Sequence, residues 1–89
     1  MMISKDVTVQ NKDGLHGRPA TFFVQKANSF KSHIWVEKGD RRINAKSLLG
    51  LLSLNIKKDT SVTLLSDGPD EEEALEGLVD LIQKGITAE

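Results

Sequence analysis

Residues 32–44 read SHIWVEKGDRRIN, two short strand-forming runs on either side of Gly39-Asp40. So short a link makes a hairpin, because a parallel pair needs a crossover of a dozen or more residues. The strand through Ile34 to Glu37 and the one from Arg41 to Asn44 are therefore expected to be antiparallel neighbours. Two further runs have strand character. Ile3 to Gln10 alternates loosely, with Val7 and Val9 on one face and Thr8 on the other, before the polar NKDG ends it. TSVTLLS, residues 60–66, is the other. Trp35 alternates with Ile34 and Val36 and is expected to pack against a helix edge.

Between these runs the apolar period changes from two to that of a helix. Ala20, Phe23, Val24 and Ala27 recur at i, i+3, i+4 and i+7 after Gly17. KSLLGLLSLN is a short apolar segment opened by Ser47, a preferred N-cap, with Asn55 where a left-handed residue closes a helix. In DEEEALEGLVDLIQKG, Asp70 and Glu73 have capping-box spacing, Leu75, Leu78, Val79 and Ile82 share a face, and Gly85 ends the helix. The order βαββαβα, with strands too closely spaced for parallel crossovers throughout, predicts an α+β protein. Its fold class is a two-layer open-faced sandwich, a largely antiparallel sheet covered by helices on one face.

The 89 residues are expected to form a single domain, 1–89, with one modest core. A net charge of -1 argues against a protein built to hold nucleic acid. Without cysteine there is no disulfide and no thiolate metal site, and neither a metal nor an organic cofactor is expected. No run approaches the roughly 20 apolar residues of a membrane span, nor does the start resemble a signal peptide. The expectation is a cytoplasmic protein with no membrane insertion.

DGLHGRPA, residues 13–20, places a histidine where the first helix begins. If His16 caps that helix, the N–H groups of Gly17 and Arg18 lack intrahelical partners and face outward at the positive end of the dipole, a setting for an anion. Gly17 lets a ligand come close to the backbone, Arg18 adds a charged grip on phosphate oxygens, and Pro19 loses no hydrogen bond in a first turn. A neutral imidazole there is a nitrogen nucleophile beside a cradle for charge. The alternative is a plain capping or surface histidine, since no second catalytic group stands in the same segment.

GLHGRPA followed by NAKSLLGLLSL resembles HPr, the histidine-containing phosphocarrier family of the bacterial sugar phosphotransferase system, and the resemblance runs along essentially the whole chain. It implies a carrier protein, not an enzyme. His16 takes a phosphoryl group on Nδ1 from enzyme I and passes it to IIA domains of sugar permeases. Arg18 steadies the phosphate with Gly17 and Pro19, and the strand order is 1-4-2-3 with three helices on one side. Two positions depart from the pattern. Gly17 stands where alanine or threonine is usual, at an expected cost of about 1 kcal/mol relative to alanine. Asp13 brings a carboxylate that either repels the phosphate or bonds the imidazole.

The same resemblance makes Ser47 a regulatory site, modified by an HPr kinase/phosphorylase and then read by catabolite control protein A, in addition to its capping role. Leu48, Leu49, Leu51, Leu52 and Leu54 are too many for one buried stripe. The family pattern sends Leu51 and Leu54 inward and leaves Leu48, Leu49 and Leu52 to form a docking face with Arg18, Thr21 and Gln25. A monomer meeting its partners briefly is expected. A relative acting only through the serine would lack the acceptor histidine, which this chain has.

Overall fold

The computed structural model describes residues 1–84. Its elements are β1 (Ile3–Thr8), α1 (Gly17–Asn28), β2 (His33–Lys38), β3 (Arg41–Asn44), α2 (Leu48–Ser53), β4 (Ser61–Asp67) and α3 (Glu71–Gln83). The four strands form one antiparallel sheet in the order β1-β4-β2-β3. Three helices complete the open-faced sandwich, as the sequence predicts. The β2–β3 turn places Gly39 at φ +62, a first-position conformation that favours glycine in a two-residue hairpin.

Strand alternation decides what each face buries. Ile34, Val36, Val62, Leu64 and Val7 point to the helices and join Phe23, Leu51, Leu78 and Ile82 in one buried cluster. Trp35 points the other way. It lies half-buried on the helix-free face, stacked on His33 at 6.0 Å between ring centres and opposite Leu65 of β4. The expected contact with a helix edge is therefore not made, because Ile34 and Val36 already take the covered face.

Two local expectations about α3 also change. Asp70 is its N-cap residue but makes no capping bond. Its carboxylate instead accepts from the Lys31 and Ser32 amides at 2.9 and 2.8 Å and from the Ser32 hydroxyl at 2.5 Å. Glu71, not Glu73, bonds the backbone before the helix, accepting from the Gly68 amide at 3.0 Å. The helix closes at Lys84, and the predicted stop at Gly85 lies outside the described residues.

Candidate functional site

The loop that carries His16 is fixed by backbone contacts. The amide of Gly14 donates to the carbonyl of Asn11, and that of Leu15 to the carbonyl of Ile56 at 2.9 Å. Gly14 has φ +63, and a Cβ there would run into the carbonyl oxygen of Ile56. Only glycine lets the chain pass so close. Leu15 is fully buried and anchors the turn, so the next residue emerges at the surface. Nothing in the sequence motif marks Gly14 for this duty beyond its place in a turn.

His16 is the N-cap residue of α1, extended at φ -131 and ψ 160, and its side chain makes no capping hydrogen bond. The plain capping role is thus not what the imidazole does. It is half-exposed at the open end of the helix, where the first amides have no intrahelical acceptor. Gly17 follows at φ +57 with nothing within 4 Å of where a Cβ would stand. The expected penalty against alanine is therefore reversed, because the backbone is left-handed there and a side chain would strain it. Arg18 is exposed, Pro19 half-buried in the first turn, and Ala20 fully buried beneath them. Asp13 is exposed in the turn, and among the described residues no hydrogen bond or ion pair joins it to His16.

Ser47 caps α2: its hydroxyl accepts from the Gly50 amide at 3.1 Å. Asn55 closes that helix at φ 51, as its position suggests. Leu51 and Leu54 are buried, whereas Leu49 is 82% exposed and Leu48 37%. Leu52 is half-buried against the core, so of the three leucines expected at the surface it contributes least. Thr21 and Gln25 are exposed on α1, the threonine hydroxyl donating to the Gly17 carbonyl at 3.2 Å.

Phe22, unexpected from the sequence, is 37% exposed on α1. The signal was present, since two adjacent phenylalanines on a helix point about 100° apart and Phe23 takes the core. The ties that align α1 with α2 were likewise not expected. The Asn28 side-chain Nδ2 donates to the Lys46 carbonyl at 3.2 Å, and the Lys46 ammonium to the Phe30 carbonyl at 2.8 Å. With Leu15 bonded to Ile56, these contacts make the two helices antiparallel. His16 and Ser47 therefore stand at opposite ends of the pair, separated by roughly the length of α1, about 18 Å at 1.5 Å per residue.

The family described as PTS HPr component phosphorylation site matches residues 3–84. This chain belongs to the HPr family. Within it, an HPr-like protein Crh of Halalkalibacterium halodurans is 48% identical, covering 93% of this chain and 99% of that protein. Phosphocarrier protein HPr of Neisseria meningitidis is 46% identical, over 91% of each. The structure of HPr-C-His from Thermoanaerobacter tengcongensis aligns with a TM-score of 0.91 at 48% identity, over 92% of each chain. An HPr dimer from the same organism aligns at 0.75 and 50% identity, over 90% of this chain and 94% of that one. HPr folds thus occur as dimers as well. Among the described residues no helix is long and apolar enough to cross a membrane.

Proposed function

We propose that this HPr-family protein is a cytoplasmic phosphocarrier whose acceptor is His16. In this reading, Nδ1 attacks the phosphorus of phosphorylated enzyme I, a new N–P bond forms, and the electron pair of the broken bond stays with enzyme I. The reverse exchange delivers the group to a IIA domain. What carries the reading is the imidazole itself, half-exposed at the α1 N-terminus and not spent on capping. The first-turn amides and Arg18 answer the charge that arrives, with Gly17 and Pro19 shaping the turn. Two amides and an exposed arginine hold phosphate moderately, as a carrier requires. Each extra 1.4 kcal/mol of grip would cost about tenfold in onward transfer.

Ser47 is the proposed regulatory site, for an HPr kinase/phosphorylase and for recognition by catabolite control protein A. A phosphate there extends the cap of α2 and leaves the fold intact. The docking surface comprises Leu48 and Leu49, with Leu52 at its base and Thr21 and Gln25 on α1. Phe22 is added to it. The protein is proposed to act as a monomer. A second reading, a regulator working through Ser47 alone, is favoured by its similarity to proteins named HPr-like protein Crh. It gives His16 no task.

Intact-mass measurement after incubation with phosphoenolpyruvate and enzyme I separates the two. One acid-labile phosphoryl group on the wild type, absent from His16→Ala, is the expected result. An unlabelled wild type, with a control HPr charged in the same tube, would leave the regulatory reading standing.

A further inference from the structure

Charge is unevenly shared along this chain. Residues 67–84 carry seven acidic side chains and one basic, whereas residues 1–66 carry eleven basic and five acidic. Much of the acidic excess belongs to α3, and α3 forms one wall of a groove of about 390 Å³ against β1. Ile3, Leu75 and Val79 supply apolar surface, Glu72, Glu76 and Asp80 line the α3 side, and Lys5 stands on the strand. Asp80 is paired with Lys84 at 3.2 Å. Among the described residues Glu72 and Glu76 have no ion-pair or hydrogen-bond partner.

We propose that this groove docks a basic amphipathic helix of a partner protein. The sign of the wall excludes nucleic acid and anionic bilayers, both of which seek cations. An added strand is disfavoured although β1 is a sheet edge, because Lys5 and Asp6 put a charge on each face of it, a known protection against edge pairing. A helix meets the spacing. Glu72, Glu76 and Asp80 recur every four residues, about 6 Å apart along the axis, and lysines at the same interval on an incoming helix face them in step. Apolar side chains between those lysines fill the trough over Leu75 and Val79. His16, Arg18, Ser47, Leu48 and Leu49 do not line this groove, so an occupied groove leaves them open to a second protein. The inference does not rest on what His16 does.

The test is a titration of the full ¹⁵N-labelled chain with a synthetic leucine–lysine peptide patterned as an amphipathic helix. Saturable shifts centred on Ile3, Lys5, Leu75, Glu76 and Val79 are expected. The double variant Glu72→Gln/Glu76→Gln should bind about tenfold more weakly with an unchanged urea unfolding curve, since both side chains are exposed and unpartnered. Raising the salt concentration should weaken the wild-type complex in the same direction. Shifts centred on Leu48 and Leu49, or an affinity indifferent to the double variant, would overturn the proposal. Equal binding of a scrambled peptide of the same composition would overturn it too. Charging of His16 by enzyme I, followed separately with peptide present, reports on the carrier role alone.

Discussion

At Gly17 the residue type and the backbone have to be weighed together. On a helix, glycine costs stability relative to alanine, yet at φ +57 the comparison changes sign. Gly17→Ala is expected to lower unfolding free energy by about 1–2 kcal/mol, measured by urea denaturation. A variant as stable as the wild type or more so would show that this turn does not need the left-handed form. Asp70 offers a second residue-scale prediction. The Ser32 hydroxyl, then the Lys31 amide, hold its carboxyl at about 2, below the usual 3.8. A lowered value means the stabilisation is fully present above the usual carboxylate range and is lost as pH falls toward about 2. Asp70→Asn should therefore lose less stability than wild type between about pH 5 and pH 2.5, read from urea midpoints. Parallel losses in the two proteins would refute the assignment.

Among the elements, those with strong periodicity were legible and those decided by distant partners were not. Phe23 and Ala27 mark the buried face of α1 without help from the rest of the chain, and Ser47 and Asn55 bracket α2 by local chemistry. The capping box of α3 failed because Ser32, 38 residues away, competes for Asp70 and wins. A spacing rule sees only four residues. Likewise, alternation in β2 separated Trp35 from Ile34 but could not say which face the helices would cover. One strand keeps a flaw. In β4 the hydroxyl of Ser66 is fully buried and has no hydrogen-bond partner among the described residues. Removing an unsatisfied buried hydroxyl relieves its desolvation penalty, so Ser66→Ala should raise stability by about 1 kcal/mol. A destabilised variant in the same urea assay would mean the hydroxyl is satisfied in solution.

Across the whole molecule, the motif carrying His16 was readable and the distance to Ser47 was not, because it depends on α1 and α2 running antiparallel. That distance bears on regulation. About 18 Å is roughly twice the Debye length of 8 Å at physiological salt, so a charge at Ser47 is heavily screened from a phosphoryl group arriving at His16. Its effect must be exerted where a partner touches α2. Ser47→Asp is accordingly expected to raise KM for charging by enzyme I several-fold while leaving kcat nearly unchanged. A fall in kcat at constant KM would point instead to action at the histidine.

The single tryptophan has an optical consequence. Trp35 emits from the side of the sheet that no helix covers, so its fluorescence is a natural dye placed away from both helical surfaces. A protein that settles on α1 and α2 should leave its emission colour and its quenching by iodide unaltered. Anything that lies across the bare sheet should shift the one and shield the other. An unlabelled sample in a fluorimeter thus distinguishes the two kinds of encounter.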